Sequence, residues 1–251
     1  MGFLRHNVLY INTVVLCFPM ATESGSLHKL LHKGEVWRGR QAAEHPRHRC
    51  LSSGFPQLDA LLPGQGWQAS QLVELLYSEE GSGELGVLLP LLAELSQQER
   101  WVLWVDPPHI PYAPALLDAG VNLDRVQVVR SNSRRDRLWC LEQSLKSGCC
   151  SAVLGWLPAG QEKAIRRLQV AAVEGDCRGF LFRHSRCQSQ HSAAPCRLLL
   201  EPHPEGVTVS ALKRRGGWPL PPRLIPVSPV VSQTAEPDGG PARLTLVGTS
   251  I

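Results

Sequence analysis

The sequence has 251 residues, 43% of them hydrophobic, which suffices for one large core and excludes a wholly disordered chain. Lys and Arg number 26 against 22 Asp and Glu, a formal charge of +4 that permits nucleic acid or an acidic protein as partner without demanding either. The eight cysteines form no C-x-x-C pair, so they read as small, reduced core residues rather than a metal or redox motif.

The opening stretch, MGFLRHNVLYINTVVLCFPM, carries an apolar run from Val8 to Phe18 that Asn12 and Thr13 interrupt. It is too short to span a bilayer and lacks a small-residue cleavage site, so translation is expected to begin at Met20. Leu27, Leu30 and Leu31 then predict a short amphipathic helix, followed by the basic connector WRGRQAAEHPRHRC. His45, His48 and Cys50 in that connector have no second ligand pair at zinc spacing, so no metal is expected.

From Leu51 the texture changes. A turn-rich stretch holds a small helix at 57–62, and apolar strands then alternate with helices. Strands are predicted at 71–77, 101–105, 126–129, 152–157 and 179–182. Helices are predicted at 85–97, 111–119, 134–147 and 161–174, with Leu138, Leu141 and Leu145 on one face of the third and Ile165, Leu168 and Ala172 on one face of the fourth. Continuous rather than alternating apolar strands imply a parallel sheet covered on both faces, a doubly wound α/β domain. Residues 197–213 predict an antiparallel hairpin closing it. The expected organisation is an extension over 1–26, the helix and connector over 27–50, the domain over 51–218, and a flexible Pro-rich tail over 219–251.

The chemistry turns on LVELLYSEEGSGELGVLLPLL, a strand, a Gly/Ser turn and a helix laid out like a phosphate-binding loop. Ser78 stands at the first glycine and Gly83 at the second. Glu84 replaces the lysine that would meet the phosphate oxygens, and Leu85 replaces the hydroxyl that would hold magnesium. A carboxylate so close to an anion costs several kcal/mol, against ~0.3–1 kcal/mol from the helix dipole. The strand SAVLGWLP offers Gly155 and Trp156 where a magnesium-shell Asp would stand. No nucleotide, catalytic residue or cofactor is expected.

The run from SSGFPQLDALLPGQGW to Phe182 resembles the RecA-type ATPase core. On that resemblance Pro108 stands at the position of the catalytic Glu. WRGRQ, GFPQLDALLPGQGW, VDPPHIPYAPAL and LKRRGGWPLPPR together resemble the ImuA family of translesion DNA synthesis-associated proteins. GELGVLLPLLAELSQQERWVLW and SAVLGWLP are similar to the SulA family of division inhibitors, which belongs to the same RecA-like group. The ImuA resemblance implies a RecA-like core with a mostly parallel sheet, a C-terminal hairpin and flexible tails. It also implies a non-catalytic adaptor of SOS-induced translesion synthesis, cytoplasmic and nucleoid-associated during DNA damage. Its partners would be an ImuB-like protein, a DnaE-type error-prone polymerase, weakly or indirectly DNA, and a second copy of the chain, with no membrane. The alternative is a SulA-like inhibitor that binds the tubulin-like division protein.

Two basic clusters are candidate contacts for DNA or a partner: Lys213, Arg214 and Arg215 with Trp218, and Trp37 with Arg38 and Arg40. Each has a plain alternative, a solvated turn for the first and a helix docked on its own core for the second.

Overall fold

The computed structural model describes residues 9–11, 14–16, 50–81, 83–214, 220–227 and 245–248. The chain divides into two compact units, residues 1–42 and 43–251. In the first, β1 (Leu9–Ile11) and β2 (Val14–Leu16) pair as an antiparallel hairpin. The helix predicted near residue 30 lies outside the described residues.

The second unit begins with β3 (Cys50–Leu51), α1 (Pro56–Leu61) and β4 (Trp67–Gln68), which pairs antiparallel with β3. There follow β5 (Leu72–Tyr77), α2 (Leu89–Ser96), β6 (Trp101–Val105), α3 (Ala113–Asp118), β7 (Val126–Arg130) and α4 (Arg134–Lys146). The chain continues through β8 (Cys150–Trp156), α5 (Glu162–Glu174), β9 (Arg178–His184), β10 (Cys196–His203), β11 (Gly206–Arg214), β12 (Arg223–Ile225) and β13 (Thr245–Gly248). A nine-stranded sheet runs in the order β12-β11-β10-β5-β9-β8-β6-β7-β13. All pairings from β10 to β13 are parallel, and β11 runs antiparallel to both β10 and β12.

This is the mixed α/β architecture that the continuous apolar strands implied. Every residue of β5 and β8 is buried, because helices cover both faces. Val73, Leu75 and Tyr77 of β5 face one core with α1, α2 and α3; Leu72 faces the other with α4 and α5. The predicted helical faces are used: Leu141 and Leu145 of α4 and Ile165, Leu168 and Ala172 of α5 are buried in that second core, with Leu138 packed against it.

Prolines account for the largest boundary differences. The helix expected from residue 85 starts at Leu89, after a 3-10 turn at Gly86–Leu88. Pro90 has no N–H to give a carbonyl four residues earlier, so it is tolerated only in the first helical turn. Pro114 moves the start of α3 from 111 to 113 in the same way. Two pieces of the segment expected to be a tail, Arg223–Ile225 and Thr245–Gly248, lie on the two edges of the sheet. Strands of three and four residues, each with two adjacent apolar side chains, suffice at a sheet edge, although composition alone suggests a linker.

One feature of the second face has no counterpart in the sequence reading. Glu74, an acid inside β5, is fully buried and bridges two arginines. Its Oε1 accepts from Arg183 Nη1 of β9 at 2.8 Å and its Oε2 from Arg197 Nε of β10 at 2.5 Å. Arg197 also donates to the carbonyls of Cys187, Gln188 and Gln190, tying the 185–195 connection to the sheet.

Candidate functional site

β5 ends at Tyr77, and the chain turns through exposed Ser78, Glu79, Glu80 and Gly81 before Glu84 goes under the surface. Gly81 and Gly83 have φ of +78° and +89°, the left-handed region that favours glycine. A Cβ on Gly83 would also lie 2.7 Å from Val207 of β11, and one on Gly86 would lie 2.0 Å from Val227 beyond β12. Packing against these neighbours is reason enough for the loop shape to persist without a phosphate to hold.

Glu84 is turned inward. Its side chain is buried, and Oε1 accepts from the Gly81 amide at 3.2 Å. A phosphate loop aims such amides at its anion; here the loop supplies its own carboxylate. The other oxygen, Oε2, is buried with no hydrogen-bond partner. Leu85 is half-buried and packs against the first core, while Ser78 stays at the surface. The Tyr77 hydroxyl is pushed up to about 12 by burial and then by the carboxylates of Glu80 and Glu84.

Beside the loop lies a groove of about 530 Å³ at the C-terminal ends of the parallel strands, the usual ligand position in an open α/β sheet. Leu85, Leu89, Trp104, Tyr112, Leu116 and Val227 supply its apolar wall, and its lining residues include no Lys or Arg. Ile110 and Tyr112 next to it are 73% and 57% exposed, an unusual amount of apolar surface for one short segment. At the surface nearby, Glu80 Oε2 and His109 Nε2 lie within hydrogen-bond distance, 2.8 Å apart.

Below the groove a row of aromatic rings crosses the sheet. Trp156 stacks on Phe182 at 4.6 Å and 9°, Trp104 tilts against Trp156 at 5.9 Å, and Tyr77 meets Phe182 edge-on at 6.3 Å. Trp156, the residue at the magnesium-shell position, therefore belongs to a packed hydrophobic layer. Pro108 is exposed.

Asp106, at the end of β6, holds an unusual backbone with φ +51° and is buried. Its carboxylate accepts from the Ser131 amide at 2.6 Å, from the Ser131 hydroxyl, and from Arg137 Nε at 2.5 Å. Burial works to raise its pKa, but the Ser131 hydrogen bonds and the Arg137 guanidinium outweigh it and hold the carboxyl below its usual value. The pair therefore stabilises the fold above the unfolded-state pKa of about 4, and that contribution disappears as pH falls through the lower folded value. Thermal unfolding followed from pH 7 to pH 2 should show Asp106→Asn less stable at neutrality and less sensitive to acid than the wild type. Asn suits a left-handed φ, so the backbone is kept; parallel pH curves would contradict the assignment.

The basic candidates are divided. Lys213 donates to the Ser192 carbonyl at 2.8 Å, and Arg214 to the Leu61 carbonyl at the end of α1 at 3.1 Å. Both cationic heads thus tie β11 to neighbouring backbone. Arg215, Trp218, Trp37, Arg38 and Arg40 lie outside the described residues, as do His45 and His48. Sequence reasoning missed Asp106 and the groove wall. The exposed Ile110 and Tyr112 in VDPPHIPYAPAL were the available signal. Among the described residues all seven cysteines are free thiols, and no helix is long and apolar enough to cross a membrane.

The family model described as "Cell division inhibitor SulA" matches residues 70–179, from the start of β5 into β9. Curated relatives with that name include one from Serratia marcescens, 33% identical over 121 residues that cover 48% of this chain and 72% of the relative. Another, from Photorhabdus laumondii, is 36% identical over 111 residues, 44% of this chain and 63% of the relative. A third, from Yersinia enterocolitica, is 36% identical over 110 residues, 44% of this chain and 66% of the relative. The chain thus spans slightly less than two thirds of the Photorhabdus and Yersinia proteins. The crystal structure of SulA from Pseudomonas aeruginosa is similar at 26% identity, with 45% of this chain and 97% of that chain covered and a TM-score of 0.39.

These findings overturn the translesion adaptor expected from the ImuA resemblance, together with its ImuB-like, DnaE-type polymerase and DNA partners. GFPQLDALLPGQGW and LKRRGGWPLPPR, on which that resemblance leaned, fall outside the matched residues. The matched residues hold the loop, α2, α3 and, of the aromatic row, Tyr77, Trp104 and Trp156, and the relatives that match this region are named division inhibitors.

Proposed function

The chain belongs to the SulA family, and from that premise we propose that it is a non-enzymatic inhibitor of cell division that binds the tubulin-like division protein in the cytoplasm. The observation that carries the reading is the kinship of residues 70–179, which contain the loop and α3, with proteins named for that inhibition. The fold we read as a RecA-like core turned from nucleotide chemistry to protein binding. In support, β5 lies centrally between β9 and β10, and antiparallel β11 follows on the far side of β10. Glu84 supports the loss of nucleotide chemistry, because a carboxylate occupies the amide that would face a phosphate.

The test is a sedimentation assay of the purified division protein with Mg·GTP. Equimolar full-length chain should at least halve the pelleted polymer, and a control protein of equal charge should not. Unchanged polymer at fivefold excess would overturn the proposal.

A further inference from the structure

We infer that the groove beside the degenerate loop is a docking channel for a protein segment that places a Lys or Arg next to an apolar side chain, with Glu84 receiving the cation. The inference deepens the proposed function by naming what the partner presents, and it rests on that reading only for the partner's identity.

Two independent observations converge on this occupant. The first is shape and polarity: a channel of about 530 Å³ with an apolar wall, opening beside exposed Ile110 and Tyr112. Apolar surface of this kind marks a protein contact more readily than a site for a small polar ligand. The second is charge. Glu84 lines the channel at 7% exposure, and its Oε2 has no donor. A buried carboxylate oxygen left without a partner is costly to the free protein, and a cation delivered from outside would remove that cost. Glu84 is the one carboxylate among the lining residues, and His203 the one cationic type.

The geometry favours a long basic side chain over a small cation. Its methylenes can lie along Leu85, Leu89 and Tyr112 while the charged end reaches Glu84. The neighbouring apolar residue would fill the wall formed by Leu116 and Val227. An anionic segment or a nucleotide meets the Glu84 carboxylate instead, with no Lys or Arg in the lining.

The experiment is selection of a random decapeptide library on the full-length protein, with Glu84→Gln and Glu84→Lys as counter-targets. Peptides enriched on the wild type should carry Lys or Arg beside an apolar residue. A synthetic copy of one should bind Glu84→Gln at least tenfold more weakly and fail on Glu84→Lys. Circular dichroism and thermal unfolding establish that each variant is folded. Glu84→Gln keeps the carbonyl that accepts from Gly81, so its unfolding midpoint should match or exceed the wild type. Enrichment without a basic preference, an unchanged affinity for Glu84→Gln, or no enrichment at all would each overturn the inference. None of these outcomes depends on the division protein, so failure of the channel and failure of the proposed function are separable.

Discussion

Glu74→Ala is expected to destabilise the protein by about 3–5 kcal/mol, the usual cost of removing one partner from a buried ion pair. That is a large share of the ~5–15 kcal/mol that holds a typical domain together. The cost arises from what remains. Arg183 and Arg197 stay within the sheet, the first with a fully buried side chain and the second with 7% exposure. Without Glu74 the nearest carboxylate to Arg183 is Glu162, at 3.5 Å and partly open to solvent. Two guanidinium groups would then face each other in a medium that screens poorly. Urea unfolding by circular dichroism measures the loss. Glu74→Gln, which keeps oxygen and shape but removes the charge, should fall between wild type and alanine. A loss below about 1 kcal/mol for the alanine variant would mean that the arginines find solvent, contradicting the burial seen here.

The network also shows where sequence reasoning stops. Strand periodicity located β5, β9 and β10 because each is apolar over several residues, and that information is local. Glu74 within LVELLY reads as an interruption of such a run. Its partners stand 109 and 123 residues away along the chain, so only the sheet order brings them together. The order follows from crossovers that no single segment encodes. Helix boundaries failed for a local reason, the prolines at 90 and 114, which a stricter use of proline's missing N–H would have found.

The loop was legible in its chemistry and not in its detail. Glu84 in place of lysine argued against an anion, and the sequence alone supports that much. The inward turn of its carboxylate onto the Gly81 amide needed coordinates. The groove was less accessible still, because its walls come from four separated stretches: the loop, α3 with the end of β6, the β10–β11 turn, and Val227. Three of the four motifs that pointed to ImuA lie outside residues 70–179, and the fourth, VDPPHIPYAPAL, lies within the stretch that matches SulA. The matched residues supply the loop and α3 side of the groove, whereas its opposite wall, from Pro202 to Val207 with Val227, lies beyond them.

Trp156→Ala is the second substitution with a large expected effect, about 3–5 kcal/mol of stability for truncating a buried tryptophan. Trp156 is 8% exposed and lies between Phe182, on which it stacks, and Trp104. The indole N–H groups of Trp156 and Trp104 are both buried without a hydrogen-bond partner, so ring contact alone holds the row. Trp104 is also part of the groove wall. Removing the ring it leans on should therefore loosen the channel floor as well as the core. Trp156→Phe separates the two consequences, since it retains a ring to stack on Phe182 and leaves a smaller cavity. It should cost less than half of the alanine loss and still bind a selected basic peptide within a fewfold of wild type. Trp156→Ala, assayed well below its unfolding midpoint, should bind the same peptide at least tenfold more weakly. Stability lost without any change in affinity would mean that the aromatic row supports the sheet and leaves the groove to stand by itself.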